Sequence, residues 1–566
     1  MKFILYLSSI TFLLILAFSC AKQTSPTGGP KDSIPPNLIK AIPANKTINF
    51  TGNSIQLIFD ENIQLNNPRE QLLITPSIEK DFEMTAKKRN VTLKFKRNLQ
   101  DSTTYTINFR ESIQDINEKN PAKNLQLAIS TGSYIDSLSI SGTVQHILSG
   151  KKADDASIAL YNNIDTFNIF KDKPTYLTKT NQDGEYTISN LKSGTYYIYA
   201  FNDKNKNIIV DSKSEAYGFL KKPIYLKPDS VFKIDIPILT MDSKELKLIS
   251  GRPYNTYFNI KFSKNIKDFN ITQTDTINST DFYQTFGDDF ANIKIYTPQL
   301  EEDSIRINLK AYDSLGSKVD TTLYVKSNPR KTTPEKLSLK IENSKIIADE
   351  AVLKSTLKFN KPILSINFDS ITYKYDSTTE FSLHPENFSL TEKKNELNLS
   401  LALDKSLFKK ETEQQGFSKS VSQPKNIINK LVFGKSAFIS IENDSTTFKE
   451  ENVNILTSTS TGTILVETNI TENKSIIQII TTDLKVVQTV KAQKTTFKNI
   501  PPGNYLIRLI IDENENGEWD PGNFNNKEEP EKIYFYKNEE GQSQITVKAN
   551  WELGPLLITS SYDVDK

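Results

Sequence analysis

The sequence predicts an all-β protein, a string of β-sandwich modules joined end to end. Three observations carry that expectation. Runs at 54–59, 91–95 and 105–109 alternate apolar and polar residues, the period of a half-buried strand. Asn, Asp and Pro clusters bound these runs, while amphipathic helical patterns are scarce, with 335–339 and parts of 404–430 the nearest. Two distinct segments also recur along the chain, which marks a modular plan.

The chain starts with Lys2 and an apolar run over 3–18, followed by Cys20, the single cysteine among 566 residues. That run is short for a permanent membrane helix and reads as a cleaved export signal. It resembles a bacterial lipoprotein signal, although Ala17 stands where such signals favour Leu and Leu16 lies one place earlier. The resemblance implies removal of residues 1–19 and a covalent lipid on Cys20. Residues 20–37, dense in Pro, Gly and Ser, then read as a tether.

Composition excludes several chemistries. With Cys20 taken by lipid, no thiol remains for a disulfide, a thiolate zinc site or a nucleophile. The two histidines, His146 and His384, are far apart in sequence, which argues against an imidazole metal site, and no serine carries a G-x-S-x-G elbow. His384 before Pro385 reads as a turn residue, and the basic run 87–89 as a hairpin turn. The 70 basic and 68 acidic residues leave a formal charge of +2, which offers no footprint for nucleic acid. Carboxylate pairs such as Asp60-Glu61 and Glu301-Glu302 are what chance supplies at this acidic content. The chain is expected not to be an enzyme.

The first repeat is an alternating strand ending in Phe, a polar pair and an isoleucine. It runs through Phe59 to Ile63, Phe262 to Ile266 and Phe359 to Ile363. The first copy, with Pro43-Ala44-Asn45 upstream, Asp60-Glu61 after the Phe, and 104–106 and 115–117 downstream, resembles the bacterial Ig-like domain of the S-layer type. The resemblance covers 38–133; the stretches 241–330 and 331–458 read as diverged Ig-like domains.

The second repeat aligns 188–207 with 497–516 without a gap, matching Asn190, Gly194, Tyr196 and Ile198 to Asn499, Gly503, Tyr505 and Ile507. Gly142 and Gly462 open the two units. Both resemble the transthyretin-like, carboxypeptidase-regulatory β-sandwich, which assigns 134–240 and 459–566. The Asp183-Gly184 step of the first unit has no counterpart in the second, where 494–497 stand instead.

Chemistry concentrates in the loops after these aligned strands. Asp512, Asn514, Asn516, Glu518 and Asp520 place oxygens at alternate positions with Gly517 at the sixth, the first part of a calcium loop. The bidentate Glu expected at the twelfth place is missing; Asn523 is there. Two readings stand: a structural calcium site, or a polar hairpin closed by side-chain to backbone hydrogen bonds. The sister loop offers Asp203, Asn205, Asn207 and Asp211 but carries Lys204 and Lys206 and lacks the glycine.

The whole arrangement, with 20–36 as its start, resembles Ig-like-domain lipoproteins of the Bacteroidota outer membrane. That resemblance implies a non-catalytic scaffold or accessory subunit of an outer-membrane complex, such as β-barrel assembly or export machinery. It would be anchored by the lipid and partnered by other outer-membrane proteins or lipoproteins, with the leaflet undecided. The alternatives are a surface adhesin or glycan-binding lipoprotein, and behind it a hydrolase with an interdomain carboxylate site. Trp519 and Trp551 are the residues that could stack on sugars, against a reading as core or rim.

Overall fold

A computed structural model describes residues 32–559 except 79–80, 124, 163–166, 229–231, 275–281, 288, 298–303, 329–331, 392–394, 409–426 and 471–473. Cys20 with its signal, and the Glu301-Glu302 pair, lie outside the described residues. The regular structure of the described residues is almost all strand, and their α-helix is the single turn Pro68–Gln71. Of the helical patterns, 335–339 is extended and runs into strand Leu339–Ile347. The described part of 404–430 holds only the 3-10 turn Lys405–Phe408 and strand Ile427–Phe433. Tertiary burial overrides these weak helical signals, because the alternating residues nearby have a sheet face to join.

Apolar side chains gather into six cores. Five draw their buried members from one contiguous stretch each: 50–129, 140–238, 246–325, 337–453 and 464–558. In the first, Leu38–Ile42, Ser54–Phe59, Asn90–Phe95 and Phe82–Lys87 form one sheet, and Leu73–Thr75, Thr104–Asn108 and Gln126–Ser130 another. Alternation sends Ile55, Leu57 and Phe59 inward to complete burial. Residues 32–37 lie against this module, since Asp60 accepts from the backbone N–H of Asn37 at 2.9 Å and from its amide at 3.1 Å. The basic run forms the turn between Phe82–Lys87 and Asn90–Phe95, with Lys88 at φ 55°.

The Phe–Ile repeat acquires a physical meaning in three dimensions. Phe59, Phe262 and Phe359, and Ile63, Ile266 and Ile363, are all buried. Between them, half-buried Lys264 pairs with buried Asp313 at 2.5 Å, and Lys361 is buried against Glu442 at 2.7 Å and Asp444 at 2.8 Å. The first copy has Glu61 at that place, where desolvation, Asp115 and Asp60 hold its carboxyl above the ordinary range. The polar half of the motif is therefore an enclosed ion pair in two copies and an acid facing acids in the other.

The second and fifth modules are the sister units. In the second, strands run in the order Tyr176–Lys179, Ser157–Tyr161, Gly194–Phe201, Ala216–Phe219, Ile236–Thr240, Leu138–His146, Glu185–Leu191. Gly142 is required here by close approach, because a Cβ would fall 1.7 Å from the carbonyl oxygen of Ile234. In the fifth, Lys494–Ile500, Gly462–Thr468 and Glu552–Ile558 form one sheet. Val486–Lys491, Ser475–Thr481, Gly503–Ile511 and Ile533–Phe535 form the other. The aligned tyrosines do the same work in both: Tyr196 donates to Lys192 O at 2.9 Å and Tyr505 to Pro501 O at 2.8 Å.

The sixth core is not local. It joins Tyr161, Tyr199, Tyr217 and Phe219 of the second module to Ile476, Ile510 and Ile533 of the fifth, with Leu315 of the third at its margin. The chain therefore doubles back. Its sister modules pack face to face, and the third and fourth modules form an excursion between them.

Candidate functional site

Each sister module sends a long central strand into one of the two Asx-rich loops, Gly194–Phe201 into the first and Gly503–Ile511 into the second. In the first loop Asp203 accepts from Asn207 N and Ile208 N, both at 3.0 Å. Asn205 accepts from Asn207 N at 3.0 Å, Asn207 from Ile209 N at 2.8 Å, and Asp211 from Lys213 N at 3.1 Å. The second loop repeats the pattern. Asp512 accepts from Gly517 N at 2.9 Å, Asn514 from Asn516 N at 3.0 Å, and Asn516 from Glu518 N at 2.8 Å. These are Asx turns, in which a short side chain stands in for a backbone acceptor.

Two glutamates that sequence reasoning passed over complete the loops. Glu215 accepts from Lys204 N at 2.9 Å and Asp211 N at 2.8 Å. Glu531 accepts from Glu513 N at 2.8 Å and Asp520 N at 3.0 Å. Both carboxylates are buried, and each clamps the second and ninth loop positions together. Burial, with Asp520 and Asp512 close by, pushes the Glu531 carboxyl above the ordinary range, against the pull of its two backbone donors. The spacing of these glutamates from the first aspartate differs between loops, so a fixed-interval motif does not find them.

The loop geometry decides how well calcium would fit. Asp520 accepts from the amides of Asn514 at 2.6 Å and Asn516 at 2.7 Å, and Glu518 is paired with Lys267 at 2.8 Å. Among the described residues, no three carboxylate, imidazole or thiolate groups converge to hold a metal ion. The buried Oδ1 of Asp512 has no hydrogen-bond partner. As arranged, Asp512, Asn514 and Asn516 accept the loop's own backbone N–H groups. The weaker set, Asp203, Asn205, Asn207 and Asp211, is engaged in the same way.

Beyond the ninth position the two loops diverge. The second is longer, and its extra stretch carries Phe524 into a box of aromatic rings on the second module. Its ring centre lies 5.0 Å from Phe170, 5.2 Å from Phe219, 5.8 Å from Tyr217 and 6.3 Å from Tyr199. Asn525 donates to Ser243 O at 3.3 Å, Asn523 donates to Leu315 O, and Lys527 sits 5.6 Å from the centre of the Tyr197 ring. Arg508 Nη1 reaches Leu148 O at 3.3 Å on the same face. A lone aromatic residue in an Asn- and Glu-rich stretch was the available signal for Phe524.

The remaining sequence candidates resolve individually. Trp519 donates its indole N–H to Glu531 O at 2.9 Å and packs at the sixth core. Trp551 is half exposed, with Lys548 at 4.3 Å over its ring. His384 caps the 3-10 turn Pro385–Asn387. His146 titrates below the ordinary range, through burial and then Lys151 and Lys204. No helix among the described residues is long and apolar enough to cross a membrane.

The family described as "Bacterial Ig-like domain" matches residues 32–131, and curated proteins give no match. Solved structures similar to the chain include BcpA, the major pilin subunit of Bacillus cereus, at 12% identity. That match covers 75% of this chain and 100% of that one, with a TM-score of 0.12. The surface layer protein SbsC, domains 1–6, is 13% identical over 85% of this chain and 66% of that one, with a TM-score of 0.14. The I9–I11 tandem of titin is 11% identical over 51% and 97%, with a TM-score of 0.12. The described residues are all-β, and the match to the bacterial Ig-like domain lies at their start, over residues 32–131.

Proposed function

We propose that this protein is a non-catalytic scaffold, exported and held at the outer membrane by lipid on Cys20, that docks other outer-membrane proteins or lipoproteins. The observation that carries the reading is the closure of the second module on the fifth through the Phe524 box. A chain of independent beads needs no such contact. A frame that must present surfaces at fixed spacing does. Closure leaves edge strands at the margins of the sheets, among them Leu248–Tyr254 and Val486–Lys491, whose outer backbone groups can pair with a partner strand.

The test is to tag the C-terminus, solubilise outer membranes in mild detergent and identify what co-purifies in near-equal amount. A membrane β-barrel, alone or with other lipoproteins, supports the scaffold. Recovery of the intact protein by itself sinks it. Substitution of Cys20 by Ser moves the protein from the membrane to the soluble fraction if lipid is the anchor.

A further inference from the structure

The two sheets of the first module meet different surroundings. The sheet of Leu73–Thr75, Thr104–Asn108 and Gln126–Ser130 faces the second module, where the Asn190 amide donates to the Thr106 hydroxyl at 2.8 Å and Ser77 N to Thr175 O at 2.9 Å. The other sheet sends Leu57, Leu93 and Met84 inward and leaves its outer face to solvent. Register fixes what that face carries. Lys40 stands beside Ile58, Ile58 beside Asn90, and Asn90 beside Lys87, one row across all four strands. Lys94 stands beside Glu83 in a further row, and alternation puts Lys96 on the same side.

Four lysines thus share the face with one acid, and all five side chains are exposed. Asp81, at the margin, is already paired with Arg97 at 2.8 Å. Among the described residues, none of the four ammonium groups has a carboxylate within ion-pair distance. Asp60, beyond the Lys40 row, is held by Asn37. The whole chain carries a formal charge of only +2, so this positive face is a local feature and not the average of the surface. Ile42 shares the face and is 44% exposed, which adds a short apolar group among the cations.

We propose that this face lies on phosphate-bearing lipid headgroups, with Lys40, Lys87, Lys94 and Lys96 toward the phosphates and Ile42 in the interface. The inference rests on the anchoring of the chain through Cys20. Residues 20–31 can span at most about 40 Å. The chain then enters this same sheet at its edge strand, Leu38–Ile42. A tether of that length keeps the face at high local concentration over the bilayer, which favours lipid over an acidic protein as the occupant.

The test is sedimentation of the chain from residue 20 onward, carrying Cys20→Ser so that no acyl chain contributes. Vesicles of phosphatidylglycerol and phosphatidylcholine in equal parts are compared with vesicles of phosphatidylcholine alone. The protein sediments with the first and not the second, and is released at about 1 M salt, where charges are screened beyond about 3 Å. Lys87→Gln with Lys94→Gln weakens the partition about tenfold, since each cation near an anionic surface contributes several-fold. Lys318→Gln with Lys435→Gln removes the same charge from exposed sites of the third and fourth modules and leaves the partition unchanged. Equal sedimentation with both vesicles, none with either, or equal loss in both double variants overturns the proposal. The anchor stands or falls separately, by fractionation of the Cys20 variant in cells. Labelling with a water-soluble amine reagent then identifies the occupant in native membranes. Lysines shielded before detergent extraction and reactive after it have lipid over them. Lysines shielded in both states lie under a partner protein, and lysines reactive in both are bare; either result overturns the proposal.

Discussion

The loops that begin at Asp203 and Asp512 start from the same sequence pattern and the same buried glutamate clamp, yet only the second inserts an aromatic ring into another module, while the first reaches the first module through the exposed pair Lys206–Glu70 at 2.6 Å. Their first three acceptors correspond: Asp203 and Asp512 each receive the N–H of the sixth position, Asn205 and Asn514 that of the fifth, and Asn207 and Asn516 that of the seventh. Beyond the ninth position, the first loop turns at once into Glu215, while the second detours through Phe524 before reaching Glu531. The clamp makes the loop rigid. The detour gives that rigid base something to insert. A repeated element has thus kept its internal chemistry in both copies and acquired a docking group in one.

Removing the docking group has the largest expected effect. Phe524→Ala empties a box lined by four aromatic rings. It is expected to weaken the closure by about 3 kcal/mol, near the low end for a core phenylalanine because this ring is only partly enclosed. Urea unfolding followed by fluorescence would then separate into two transitions. A single unshifted transition would show that the box does not couple the modules.

The sixth loop position sharpens the comparison next. Gly517 has φ of 85° and its counterpart Ile208 has φ of 65°, so a branched residue occupies the left-handed region in one loop and glycine in the other. Gly517→Ile should cost about 2 kcal/mol, from the left-handed penalty together with crowding against Lys491. Ile208→Gly should change stability by no more than about 0.5 kcal/mol, since relief of that penalty is offset by loss of packing at the sixth core. Thermal midpoints of the two variants check the asymmetry; equal shifts would break it.

The clamp itself is probed by Glu531→Gln, which leaves one backbone N–H without its carboxylate acceptor and should cost about 1 kcal/mol at neutral pH. Its pH dependence has a definite sign. The Glu531 carboxyl is raised above its ordinary 4.5, so its favourable contribution is full below that value and is lost as pH rises through the raised one. Stability of the variant should therefore fall less steeply than wild type between pH 4.5 and neutrality. Parallel denaturation curves across that window would remove Glu531 from the account.

The smallest expected effect is that of calcium. With Asp520 held by two amides and Glu518 by Lys267, chelator should leave the melting temperature unchanged. A rise on adding calcium that Asp512→Asn abolishes would replace the hydrogen-bonded loop with a ligated one.

Much of this was legible in residues alone, and for identifiable reasons. Alternation at 54–59 and the recurrence of Phe59, Phe262 and Phe359 report which side of a strand faces a core, a property of near neighbours. The polar residues within the same motif were not legible. Lys264 and Lys361 look solvated until Asp313 and Glu442 arrive from distant strands to enclose them. The loop motif suggested a cation because alternate oxygens are what calcium needs. Backbone N–H groups in a tight turn need the same spacing, and nothing in the sequence separates the two.

By itself, then, the sequence determined the all-β class, the two kinds of repeat and the Asx-rich loops, because each depends on contacts within a strand, a turn or a hairpin. Only the tertiary structure decided that the second module packs on the fifth, that Glu215 and Glu531 clamp their loops, and that Lys40, Lys87 and Lys94 share one open sheet face of the first module. Those features join residues far apart along the chain. Their existence depends on how finished sheets fit together, and no local period records it.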